Sequence, residues 1–195
     1  VLFVEPERLF IDDMRTSVQS FSILSLIGSG CHRLSEIAAR LGKPATQLSR
    51  PLQNLIDLEY VIREVPFNEN YNNSKKSLYK ISDPFLNFYF AFIVPNRSRL
   101  EYGLTNQVWA EIKTKFPRYI SAIWENLCRE SVPYLKFGNL SFNISQRWWG
   151  TGLNHLPVEI DIVAESTDKS SIMIGEVKWS DKVSVKEVYN ELKLK

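Results

Sequence analysis

Apolar residues recur every three positions at Val18, Phe21, Leu24 and Ile27, a spacing that predicts a helix with one buried face. Thr16 or Ser17 is placed to cap its start, and Gly28-Ser29-Gly30 to end it. A second helix is expected over residues 34–41, with Ile37, Ala38 and Leu41 inward, followed by a turn at Gly42-Lys43-Pro44. A third is expected from about Thr46 to Leu58, burying Leu48, Leu52, Leu55, Ile56 and Leu58. Pro51 falls inside it and is tolerable only near the first turn, where its missing N–H matters least. The period then shortens. Residues 60–65 and 78–81 read as short strands around a polar, turn-rich stretch from Asn68 to Lys76. Ser82-Asp83-Pro84 starts another helix through Phe85, Phe88, Tyr89 and Phe92, an aromatic stripe read as packing, and Pro95 is its expected stop.

Helix, helix, turn, helix and hairpin is the order of a winged helix-turn-helix. The second half has a different order. Helical segments are expected over about residues 106–116 and 117–132, the latter with Ile120, Ile123, Trp124, Leu127 and Cys128 on one stripe. Strands are expected over residues 140–149, 157–165 and 172–179, and the polar run 166–171 is the turn between the last two. A final helix begins near Val183 and is still running at Lys195. The fold class is thus α+β or α/β, with residues 16–95 as the winged helix and 96–195 as a mixed sheet flanked by helices.

Composition narrows the classes. Hydrophobic residues make up 44% of the 195, enough for packed cores, so wholesale disorder is excluded. No run approaches a membrane span and no secretory leader is visible, so a cytoplasmic protein that does not enter membranes is expected. Cys31 and Cys128 have no metal-binding spacing and read as free thiols. His32 and His155 have no ligand partner at useful spacing and read as loop residues. A net charge of +2 does not announce a nucleic-acid partner by bulk electrostatics. Any DNA contact must rest on placed residues. The third helix offers Gln47, Ser49, Arg50, Gln53 and Asn54, and the neighbouring turns offer Arg40, Lys43, Lys75 and Lys76. The alternative is a domain that packs on a protein partner.

The densest chemistry lies in the last two strands. In Val158-Glu159-Ile160-Asp161-Ile162, alternation puts Glu159 and Asp161 on one face. In Gly175-Glu176-Val177-Lys178-Trp179, it puts Glu176 beside Lys178. Paired as a hairpin, these strands bring carboxylates and an ammonium together. Carboxylate oxygens suit a hard ion such as magnesium, which keeps waters for the substrate side. The lysine can orient such a water or neutralise developing charge. Glu125 lies just beyond the edge of the apolar stripe of its helix and can reach over the sheet. A helix acid, a strand Asp and then Glu-x-Lys is the arrangement of the PD-(D/E)XK nucleases. The simplest competing reading of Glu-x-Lys is a solvated ion pair worth little.

Four stretches carry a resemblance to a known family: "SRPLQNLIDLEYVIREVPF", "YKISDPFLNFYFAFIVPN", "RWWG" followed by "EIDIVA", and "GEVKW". Through them nearly the whole chain resembles the C-terminal part of the archaeal-type P-loop ATPases, in which an ATPase domain precedes a winged helix and a nuclease-like domain. The resemblance implies that Asp161 and Glu176 hold magnesium or manganese, with Glu159 as a further candidate ligand. It implies that Lys178 assists the attacking water and that Glu125 is the helix acid. It also implies DNA and an upstream ATPase domain as partners. No Walker-type glycine-rich sequence is present, so no ATP site is expected here. Residues 1–15 then read as the tail of an ATPase region, and the last domain as cut short within its final helix. A second reading is a non-catalytic regulatory or protein-interaction module of the parent ATPase.

Overall fold

The computed structural model describes residues 17–152 and 155–195. The upstream tail and the Thr16 cap lie outside them. The described chain is α+β, with two small antiparallel sheets. It divides into two compact units, one comprising residues up to Glu64 together with Lys75–Ile112, the other Val65–Ser74 with Lys113–Lys195.

The first unit begins with α1 (Ser17–Gly28), α2 (Leu34–Leu41) and α3 (Ala45–Asp57). β1 (Val61–Glu64) and β2 (Leu78–Ile81) follow as an antiparallel pair registering Val61 with Ile81 and Glu64 with Leu78. Ile23, Leu24 and Ile27 of α1, Ile37 of α2 and Leu48, Leu52 and Leu55 of α3 meet in one core with Val61, Tyr79 and Phe90. Val18, expected inward, is 80% exposed; Ile23 and the small buried Ser20 take the inward face instead. Gly28 closes α1 against the aromatic segment, since a Cβ there would lie 2.5 Å from Phe90 Cβ.

Two prolines behave differently from expectation. Pro51 stands in the interior of α3, not its first turn, and the helix continues through it. The carbonyl it cannot bond, that of Gln47, belongs to an exposed residue and can turn to water. Pro95 does not stop the helical trace. α4 (Pro84–Phe88) passes into a π-helical turn, Tyr89–Ile93, a 3₁₀ turn, Val94–Asn96, and then α5 (Arg97–Glu101). Asn96 Nδ2 donates to Phe92 O at 3.0 Å and supplies a side-chain donor where the backbone ladder is disturbed.

α6 (Thr105–Ser131) replaces the two helices expected around Pro117, which it carries inside. In the second unit, β3 (Gln146–Thr151), β4 (Pro157–Glu165) and β5 (Ile172–Gly175) form a sheet in that order, followed by α7 (Val185–Leu194). The sheet is antiparallel throughout the described residues, where a mixed sheet was expected. Strands joined by short turns pair as hairpins, whereas parallel neighbours need a crossover of a dozen residues or more. β3 is shorter than expected; residues upstream contribute only isolated bridges, Phe137 to Leu140 and Phe142 to Ser166. One buried cluster here comprises Val132, Phe142 and Ala164, with Leu140, Ile162 and Met173 against them, and Trp149 and Val163 are buried as well. Among the described residues no helix is long and apolar enough to cross a membrane.

Candidate functional site

β4 and β5 register Ile162 with Gly175 and Val163 with Ile174. Continuing that register sets Asp161 across from Glu176, just where β5 ends. The expected strand to Trp179 is not formed; Glu176–Trp179 is irregular. The reason is a side chain taking over from the ladder: Val177 N donates to Asp161 Oδ2 at 2.9 Å. Asp161 is buried, 9% exposed. Its carbonyl is held from the other side by Arg129 Nη1 at 3.0 Å. Arg129 is itself buried and also bonds Asn126 Oδ1, while Ser145 Oγ donates to its carbonyl at 2.9 Å.

Glu176 has a side chain only 9% exposed, and each oxygen accepts from a lysine. Lys178 Nζ lies 2.9 Å from Oε1 and Lys195 Nζ 2.6 Å from Oε2. Burial pushes the carboxyl up, but the bonds from Lys195 and then Lys178 outweigh it and hold the group below the ordinary glutamate range. Lys178 moves the opposite way. Its bond to Glu176 raises it against a smaller loss from burial, and the charges of Glu176, Asp161 and Glu191 add to the rise.

Glu125 is placed differently from these. The buried side of α6 is turned by about one residue, roughly 100°, from the expected apolar stripe. Arg129 and Val132 are buried and Glu125 and Asn126 half-buried, while Trp124 and Leu127 are exposed, 37% and 54%. Glu125 thus sits on the inward side, where Ser121 Oγ donates to it at 3.2 Å. Trp124 meets Trp179 at 5.8 Å between ring centroids. Glu159 forms an ion pair with Arg147 of β3, and Arg147 lies over the Trp149 ring. Among the described residues, no three His, Cys, Asp or Glu side chains gather closely enough to hold a metal ion. Asp161 and Glu176 are the two carboxylates that the continued β4–β5 register sets opposite each other.

In the first unit, Arg40, Lys43, Gln47, Ser49, Arg50, Gln53, Asn54, Lys75 and Lys76 are all exposed. α3 buries Leu48, Leu52 and Leu55 and turns its polar positions out. Two of them are engaged within the helix: Gln53 Nε2 donates to Asp57 at 2.8 Å and Ser49 Oγ to Ala45 O at 3.4 Å. The segment between β1 and β2 is grouped with the second unit, where Phe67 N donates to Arg147 O at 2.8 Å. His32 is a half-buried loop residue whose Nδ1 donates to Tyr79 O at 2.9 Å. Cys31 and Cys128 are free thiols.

Residues 89–189 match the family DUF234, described as "Archaea bacterial proteins of unknown function". The chain belongs to this family. The matched stretch of this DUF234 protein contains Glu125, Asp161, Glu176 and Lys178, and none of the nine exposed polar residues of the first unit. The DUF234 chain is also 35% identical over 175 residues to an uncharacterized protein of Methanocaldococcus jannaschii. That alignment covers 87% of this chain and 38% of the relative, so the chain spans well under half of that protein's length. No solved structure matches it.

Sequence reasoning missed two site residues of this DUF234 chain, Arg129 and Lys195. Arg129 stands four residues after Glu125 on one helix face, a signal readable in advance. Lys195 reaches Glu176 only through the path of the chain.

Proposed function

We infer that the region from residue 96 onward is a magnesium- or manganese-dependent hydrolase of DNA phosphodiester bonds. The region over residues 16–95 is a winged helix that guides it to DNA. Both belong to a larger cytoplasmic ATPase-type protein. The observation that carries this reading is the bond from Val177 N to Asp161, which ties the Glu-x-Lys segment to the strand aspartate. Asp161 and Glu176 are the residues that would hold the ion. Bound there, such an ion supplies a water of lowered pKa and offsets charge on the phosphate. Arg129 fixes the backbone at Asp161, so the carboxylate is presented from a rigid strand. Lys178, raised and therefore charged across the neutral range, is suited to orient the attacking water or to steady the phosphorane charge. The ATPase context rests on the sequence motifs and on a relative much longer than this chain.

The test is cleavage of plasmid and linear DNA by the intact parent protein with magnesium or manganese. Asp161→Ala combined with Lys178→Ala should abolish it; cleavage that survives both overturns the site assignment.

One observation favours a second reading, a non-catalytic regulatory module of the parent ATPase. Both oxygens of Glu176 are already neutralised by lysines, which is how a structural ion-pair cluster looks. Under that reading, the same substitutions leave the DNA intact in every arm and alter ATP hydrolysis by the parent instead.

A further inference from the structure

Two tryptophans of the second unit stand side by side with much of their surface in water. Trp124, on the stripe of α6 expected inward, is 37% exposed, and Trp179, just after the Glu-x-Lys segment, is 52% exposed. Their ring centroids lie 5.8 Å apart with the planes at 59°. Rings so inclined do not cover each other's faces, so the pair offers open indole surface. Trp149 of the same unit, by contrast, is buried. The pair brackets the candidate site along the chain, since Trp124 precedes Glu125 and Trp179 follows Lys178. Leu127 extends the apolar surface by one turn of α6. The border along the other segment is cationic. Lys178 and Lys182 are exposed on either side of Trp179, against one exposed acid, Asp181, while Glu125 is turned to the inward side of α6.

We propose that Trp124 and Trp179 form a stacking platform for an unpaired base of a single-stranded or frayed DNA, with Lys178 and Lys182 at its phosphates. The proposal rests on the reading that this region acts on DNA, names the form of that substrate, and requires no bound ion. Bases stacked on aromatic rings, with cations along the backbone, are the means by which single strands are held without regard to sequence. A continuous duplex cannot use the platform in this way, because its bases are stacked on one another and show only their edges in the grooves. The platform therefore selects strand ends, gaps and flaps. Lys178 and Trp179 are chain neighbours, about 3.8 Å apart at Cα, so stacking and phosphate contact fall within one nucleotide. The Lys178 ammonium donates to Glu176 and keeps two further N–H groups for a phosphate.

The experiment is binding of a dye-labelled oligothymidylate, and of a duplex of equal length, to the 195-residue chain without divalent ions, followed by fluorescence anisotropy. Trp124→Ala and Trp179→Ala should each weaken single-strand binding on the order of tenfold and leave duplex binding within about twofold. Trp179→Phe should keep most of the affinity, which separates stacking from a loss of fold. Lys182→Ala should flatten the salt dependence of single-strand binding by about 0.7 in slope. Unchanged single-strand affinity in both alanine variants, no single-strand binding by the wild type, or equal losses for single strand and duplex overturns the platform. Self-association that Trp124→Ala and Leu127→Ala abolish, with DNA affinity unaffected, also overturns it and assigns the patch to a second copy. Cleavage by the parent protein while both tryptophan variants bind normally leaves the hydrolase reading standing without the platform. Binding lost in those variants, with no DNA cut by the parent, leaves the platform standing without the hydrolase.

Discussion

Individual residues here show how far a side chain's role depends on what lies opposite it. Glu59 has a φ of 61°, the left-handed conformation at the end of α3, where Glu59 N donates to Ile56 O and Tyr60 N to Leu55 O. A side chain costs about 1–2 kcal/mol there, partly offset by the greater unfolded-chain entropy of glycine, so Glu59→Gly should stabilise the chain by up to about 1 kcal/mol in chemical denaturation. Gly28 is the reverse case. Its close approach to Phe90 leaves no room for a methyl group, and Gly28→Ala should cost about 1–3 kcal/mol. His32 gives a pH dependence. Burial, the largest effect, lowers its pKa from 6.5 and outweighs its bond to Tyr79 O. Its folded value lies below its unfolded one, so its contribution to stability is present above 6.5 and is lost as pH falls through 6.5 toward the lower folded value. Denaturation of His32→Asn should accordingly depend less steeply on pH between about 7 and 5 than that of the wild type. For Glu125, the absence of a three-carboxylate group among the described residues leads to a specific expectation. Glu125→Gln should leave manganese affinity unchanged, where Asp161→Asn removes it.

At the scale of elements, proline and the end of β5 are the instructive cases. Pro51 lies deep in α3 and forfeits the bond to Gln47 O. Pro51→Ala should stabilise the first unit, by up to about 3 kcal/mol, as measured by urea unfolding followed through helical circular dichroism. If α3 reads DNA, charge reversal at Lys43 and Arg50 together should weaken a gel shift. It should also flatten its dependence on salt by roughly one unit for each phosphate contact removed. The boundaries of α2, β2 and β4 were legible to the residue, because each keeps the period of its own element and is bounded by turn chemistry. β5 was not. Its apolar-polar alternation runs on to Trp179, but the Asp161 carboxylate captures the Val177 amide and ends the ladder. The rotation of α6 was hidden for a related reason. Its apolar positions form a broad band, and the buried Arg129 bond to the Asp161 carbonyl draws in the polar edge of that band rather than its middle.

Among the described residues, a large buried cluster lies in the first unit and a smaller one in the second. Four of the five tryptophans, Trp124, Trp148, Trp149 and Trp179, belong to the second unit, while Trp109 and the helices α1 to α3 belong to the first. Gly28→Ala should therefore lower the transition seen by far-ultraviolet circular dichroism more than the one seen by tryptophan fluorescence; equal shifts would mean that the chain unfolds as one unit. The residue pattern by itself determined which segments are helix and which are strand. It also determined that Glu159 and Asp161 share a face of one strand and that Glu176 and Lys178 stand two residues apart, because periods of 3.6 and 2 are local properties of the backbone. Only the tertiary structure decided which of these groups hold one another. Glu159 went to Arg147, Glu176 to two lysines, and Asp161 to a backbone amide and, through its carbonyl, to a buried arginine. Such pairings depend on how separate elements pack and on which partner best offsets the cost of removing a charge from water, and no local spacing encodes that.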